Sequence, residues 1–208
     1  MTKKRVPFTY IQAKPLDMSF ENAESLDASE FQVFRTDLIN SHRMLGVPRK
    51  FSGRYKTASL LLNGNRLTSL EDFRTLAVRM LYLPSALCWL DVSDNRLNDV
   101  SIDELSDFPN LRTLYLHRNR LTTVGTVASL DRLTELRTLT LQHNPLATAH
   151  AYRAMVLILL PRLTSLDFVR VTNDEKHLLP PILVQQIVNQ EKKQQIIVPP
   201  NSDSKTDI

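Results

Sequence analysis

The side chains able to do chemistry in this 208-residue chain are few: five histidines, one cysteine, one tryptophan and a row of arginines. The histidines are His42, His117, His143, His150 and His177. A metal site needs three or four ligands with supporting partners. No cysteine joins His117 and His143, and the nearest acids, Asp91 and Asp94, belong to an earlier stretch of the pattern described below. Surface histidines at an interface are therefore the expectation, and no metal. The four glycines form no phosphate-binding or dinucleotide pattern, and no nucleophile–base–orienter set or carboxylate pair can be read. No catalytic residue and no cofactor is expected, so the chain reads as a non-enzyme. What remains is recognition chemistry. Trp89 and Tyr115, with arginine, are the residue types that dominate binding energy at protein interfaces. Arg66, Arg96 and Arg120 each follow an asparagine at a regular interval.

That interval identifies the elements that must position these side chains. The spacing Leu-x-x-Leu-x-Leu-x-x-Asn-x-Leu recurs in TASLLLNGNRL at 57–67, LCWLDVSDNRL at 87–97, LRTLYLHRNRL at 111–121 and LRTLTLQHNPL at 136–146. A degenerate fifth copy, LTSLDFVRVT, follows at 163–172. Asn65, Asn95, Asn119 and Asn144 are separated by 30, 24 and 25 residues. This is the period of a leucine-rich repeat, one short strand, a turn and a return segment per copy. The expected fold is an α/β solenoid of four to five copies. The leucines at positions one, four and six should point inward, and each asparagine should bond the backbone of its turn.

Alternate positions then face away from the core. Position three carries Ser59, Trp89, Thr113, Thr138 and Ser165, and position five carries Leu61, Asp91, Tyr115, Thr140 and Asp167. Positions seven and eight bring Asn63, Gly64, Ser93, Asp94, His117, Arg118, Gln142 and His143. The expected partner-binding face is therefore Trp89, Asp91, Tyr115, His117, Arg118, Thr140 and His143, with Arg66, Arg96 and Arg120 as a ladder along one rim. Trp89 has two readings, a partner anchor or a residue covered by the chain's own N-terminal arm. The ladder needs an acidic partner, or neighbours such as Asp94 and Asp99, to offset its like charges.

The ends are less regular. Residues 1–56 carry no repeat, and their short apolar clusters broken by Pro7, Pro15 and Pro48 cannot form a core alone. They read as an arm lying on the solenoid, with one helix near 29–45, and are expected to seal its first copy. Residues 57–172 form the repeat domain. Its first return segment is a helix, with Leu70, Phe73, Leu76, Ala77, Met80 and Leu81 at helical spacing and Glu71 and Asp72 in its first turn. A helix at 149–160, stopped by Pro161, presents Tyr152, Met155, Val156, Leu159 and Leu160 as the C-terminal cap a solenoid requires. Residues 173–208 form a tail, with a helix after Pro180–Pro181 and a polar end.

Composition narrows the setting. The longest apolar run, 154–160, is far short of the roughly 20 residues of a membrane span. The basic start MTKKRVPFTY leads into no apolar stretch, so no secretory signal and no membrane are expected. A single cysteine, Cys88, excludes an intrachain disulfide and fits a reducing, cytoplasmic compartment. Residues 57–172 hold twelve arginines and no lysine against eleven acids, and arginine suits interfaces. A balance of +1 over the repeats lacks the basic field of a nucleic-acid binder. Other proteins are the expected partners.

The set PLDMSF at 15–20, SLLLNGNRLTSLEDF at 59–73, LCWLDVSDNRL and LYLHRNRL resembles the leucine-rich repeat-containing protein 51 family, over about residues 14–175 and including YRAMVLILLPRLTSLDFVRVT. The stretch 21–55 and the tail after 176 diverge. More distantly, the repeats and cap resemble the phosphatase-1 regulators of the Sds22 type and the spliceosomal U2 A-prime protein. The resemblance implies a cytoplasmic, non-enzymatic repeat protein, a structural adaptor of the ciliary or flagellar axoneme with axonemal or microtubule-associated partners. The alternatives it implies are a regulatory subunit of a phosphatase-1-like enzyme and a ribonucleoprotein scaffold.

Overall fold

The computed structural model describes residues 12–27, 30–31, 46–50 and 53–177. The helices expected near 29–45 and after Pro180–Pro181 lie outside the described residues. Among the described residues, seven strands form one sheet in chain order. They are β1 (Leu16–Asp17), β2 (Ser59–Leu61), β3 (Trp89–Asp91), β4 (Thr113–Tyr115), β5 (Thr138–Thr140), β6 (Ser165–Leu166) and β7 (Val169–Arg170). β1 to β6 pair in parallel, and β7 turns back antiparallel to β6. The register runs through the fourth repeat position: Leu16, Leu60, Leu90, Leu114, Leu139 and Leu166 are successive partners, each fully buried. Each such leucine stabilises the fold by roughly 1.5–3 kcal/mol through burial.

The asparagines satisfy the turns from inside. Asn119 Oδ1 accepts from the Leu97 amide at 3.0 Å, and its Nδ2 donates to the carbonyls of Val92 and Leu116, both at 3.0 Å. Asn95 and Asn144 repeat this arrangement one copy before and after. One side chain thus ties three backbone groups of two adjacent copies, which holds the copies in register without exposing peptide groups inside.

The solenoid begins earlier than the repeat spacing indicates. β1 belongs to a further copy at 13–23, AKPLDMSFENA, with Leu16 and Met18 at the inward positions. Asn65 bonds into this copy: its Oδ1 accepts from Glu21 and Ala23, and its Nδ2 donates to the Met18 carbonyl. Glu21 stands where the asparagine would be, which hides the copy from pattern reading. Phe31, Val47 and Tyr55 of the expected arm join the same core, so an interval drawn at residue 57 passes between strands of one sheet.

The return segments are α1 (Phe73–Met80), α2 (Ile102–Leu105) and α3 (Val124–Ser129), with 3-10 turns at Pro84–Ala86 and Leu130–Arg132. α1 buries Phe73, Leu76, Ala77 and Met80, and Phe73 packs edge-on against Phe108 of the next return. Its start differs from expectation. Asp72 has a left-handed backbone (φ 65°) immediately before the helix, so neither Glu71 nor Asp72 lies in its first turn. The cap is α4 (Tyr152–Leu159), which starts late because Pro145–Thr148 forms a 3-10 turn and Ala151 is left-handed (φ 59°). Met155, Val156, Leu157 and Leu160 are buried, while Leu159 is only half-buried. α5 (Asn173–His177) continues the cap, held by Arg153, which donates to Glu175 Oε2 at 3.1 Å and to the Leu166 and Arg170 carbonyls.

Candidate protein-interaction face

Parallel in-register pairing places position three of one copy diagonally beside position five of the next. Trp89 opposes Thr113 and Asp91 opposes Tyr115, so the indole meets the phenol across the diagonal, ring centroids 5.8 Å apart and edge-on. Tyr115 also meets His117 at 6.0 Å. Such pairs contribute about 0.5–1.5 kcal/mol beyond burial. Burial first, and then the Asp91 carboxylate, hold the Tyr115 hydroxyl above the usual phenol range, so it is a neutral donor. Trp89 is half-buried, and its Nε1 is shielded without an acceptor among the described residues.

The residue that completes this patch is Phe168, which spacing assigns to an inward position. In the fifth copy Asp167 and Phe168 both have positive φ (53° and 64°), the backbone of a type I′ hairpin. The chain reverses after Leu166 and Phe168 swings out, 56% exposed. Its ring stands 5.4 Å from Tyr115 and 5.5 Å from His117, both edge-on. The available signal was Asp-Phe after a short strand, which is weak because a bulky residue such as Phe rarely takes φ > 0.

The hairpin is fixed by Asp167. Its Oδ1 accepts from the amides of Leu141 (2.6 Å) and Gln142 (2.9 Å), and its Oδ2 accepts from the Tyr152 hydroxyl at 2.9 Å. Burial, followed by the Asp167 charge, pushes the Tyr152 hydroxyl far above its ordinary range, so it stays a donor.

The other expected face residues divide. Thr140 is not open: it is fully buried, 2.8 Å from His117 Nδ1, and accepts from the Leu116 amide at 3.2 Å. Ser59, another position expected to face outward, is buried as well. Thr140 therefore supports His117 from beneath instead of touching a partner. Asp91 Oδ1 accepts from the Ser93 amide and hydroxyl at 3.0 and 2.6 Å, an arrangement Asp17 and Ser19 repeat in the first copy. Arg118 and His143 share position eight, left-handed in five successive copies at Phe20, Gly64, Asp94, Arg118 and His143. Both are exposed, and Arg118 pairs with Asp94 at 3.5 Å.

The arginine ladder exists in the backbone: the amides of Arg66, Arg96 and Arg120 donate to Ala23, Leu67 and Leu97 of the preceding copies. Its charges are not offset as expected. Asp94 goes to Arg118, and Asp99 accepts from the Thr126 hydroxyl. Arg66 has Glu24 at 3.7 Å, whereas Arg96 and Arg120 are exposed with no ion pair among the described residues.

The chain matches the family model described as Leucine-rich repeat over residues 82–179. It is 38% identical over 180 residues to leucine-rich repeat-containing protein 51 of Homo sapiens, covering 85% of this chain and 88% of that protein. The protein of the same name from Rattus norvegicus is 37% identical over 179 residues, with the same coverage. Among solved structures, the crystal structure of the Drosophila melanogaster SNF/U2A' complex is similar at a TM-score of 0.52 and 23% identity, covering 68% of this chain and 74% of that one. At that identity the likeness is one of fold.

Proposed function

The chain belongs to the leucine-rich repeat-containing protein 51 family, and we propose that it is a non-enzymatic adaptor which binds other proteins through its concave sheet. The observation that carries this reading is the continuous aromatic patch of Trp89, Tyr115, His117 and Phe168 on the sheet face, with Phe168 largely exposed. Rigid aromatic anchors on a preformed surface bind at low entropic cost. The test is co-purification from cells with the full chain and with Tyr115→Ala, Phe168→Ala and Trp89→Ala. Loss of the stoichiometric partners with melting temperature retained is the expected result for Tyr115 and Phe168. Partners kept by both variants would reject the face.

The finer reading concerns place. We infer a cytoplasmic structural adaptor at a fixed site on the axoneme of a cilium or flagellum, with axonemal or microtubule-associated partners. It is supported by the interaction face and by the family's repeat architecture. A fluorescent fusion in a cell that builds motile cilia, followed by detergent extraction, tests it. Signal retained along the axoneme is expected; a pool that washes out entirely removes this reading and leaves the binding face standing.

A further inference from the structure

The near-neutral balance of the repeats conceals a segregation of charge. Of the eleven acids in residues 57–172, only Asp91, Asp94 and Asp167 lie on the strand and turn rows; the other eight lie on or beside the return segments. Several of those eight are paired there, as in Arg74–Asp107 at 2.7 Å, Arg132–Asp103 at 3.1 Å and Arg162–Asp131. The three acids on the face side are already engaged, Asp91 by Ser93, Asp94 by Arg118 and Asp167 by the Leu141 and Gln142 amides and the Tyr152 hydroxyl. Arg96 and Arg120 therefore stand exposed on adjacent rungs, about 5 Å apart at the backbone. Among the described residues Glu24 pairs with the Arg66 rung, and the rung after Arg120 is Pro145. Tyr115, His117, Arg118 and Arg120 follow one another along a single copy, so the exposed charge adjoins the aromatic patch.

We propose that the face takes an acidic protein segment, with an apolar anchor on Tyr115, His117 and Phe168 and flanking carboxylates on Arg96 and Arg120. The proposal rests on the binding-face reading and adds the partner's chemistry to it. Guanidinium forks on neighbouring rungs match carboxylates bidentately, and the occupant relieves the repulsion between two like charges.

The test is a random-peptide display library panned against the full chain. Recovered peptides are expected to join Asp or Glu to a leucine, methionine or aromatic residue. One such peptide should bind the Arg96→Gln/Arg120→Gln variant about tenfold more weakly at low salt and lose most of its salt dependence. The melting temperature of that variant should be unchanged, since both side chains are exposed. Phe168→Ala should weaken the same peptide while leaving its salt dependence. Recovered peptides without acidic bias that still need Phe168 would overturn the acidic partner and keep the face. An oligouridine RNA that displaces the peptide, and fails to bind the arginine variant, would give the rim to nucleic acid. A library yielding no binder would overturn the proposal, with the co-purification result then deciding the face itself.

Discussion

The Tyr152 hydroxyl donates to Asp167 Oδ2 at 2.9 Å while Oδ1 of the same carboxylate caps the Leu141 and Gln142 amides. One side chain therefore joins the cap helix, the last full copy and the hairpin that presents Phe168. Asp167→Ala leaves two amides and a hydroxyl without their acceptor, and should destabilise the fold by about 2–4 kcal/mol in urea unfolding. Asp167→Asn retains an acceptor and should lose less. Equal stability of Asp167→Ala and the parent would refute the role.

Asn119 sits in the middle of the asparagine ladder, with three bonds at 3.0 Å to two copies. Replacing it with alanine should cost about 3 kcal/mol or more, read as a lower denaturant midpoint. The near-isosteric Asn119→Asp should also be damaging, because a carboxylate cannot donate to the Val92 and Leu116 carbonyls.

Gly64 has φ 69°, and a Cβ there would lie 2.3 Å from Cε1 of Phe20, whose ring covers it while remaining 61% exposed. Gly64→Ala should lower stability by about 1–2 kcal/mol from the left-handed backbone and the displaced ring. In a Phe20→Ala background the cost should shrink to the backbone part alone. A double-mutant cycle measures that coupling, and a coupling of zero would show that the ring moves freely.

The pH dependence of the cap follows from Glu175. Hydrogen bonding to Arg153, the largest cause, lowers its carboxyl below the usual glutamate range. A group depressed in the folded state stabilises it fully above the unfolded value, about 4.3, and loses that contribution as pH falls through the folded value. The stability gap between the parent and Glu175→Gln should therefore be present at neutral pH and close in acid below about 4. A gap that stays constant down to strongly acidic pH would contradict the linkage.

A chain beginning at Thr57 lacks β1, Leu16, Met18, Phe31, Val47 and Tyr55, all core residues. It should expose the buried faces of Leu60 and Leu62 and leave Asn65 without its partners Met18, Glu21 and Ala23, and so aggregate or melt many degrees lower. A chain beginning just before residue 12 retains the first copy and should melt well above the chain beginning at Thr57. Circular dichroism on the two truncations decides between a solenoid starting at 13 and one starting at 57.

The repeat phase, the inward leucines and the asparagine ladder were all legible in the residues, because a parallel stack in register forces each copy to repeat the same inward types. The Trp89–Tyr115 diagonal follows from the same register and was legible too. The two ends of the solenoid were not. A terminal copy has one neighbour instead of two, so its pattern is constrained on one side only, and Glu21 could stand in for the asparagine. At the other end two successive left-handed residues reverse the chain, turning Phe168 from an inward position to the open face. Spacing counts positions but carries no backbone handedness, so that flip, the burial of Thr140 and the pairing that already engages the acids were decided only by the tertiary structure.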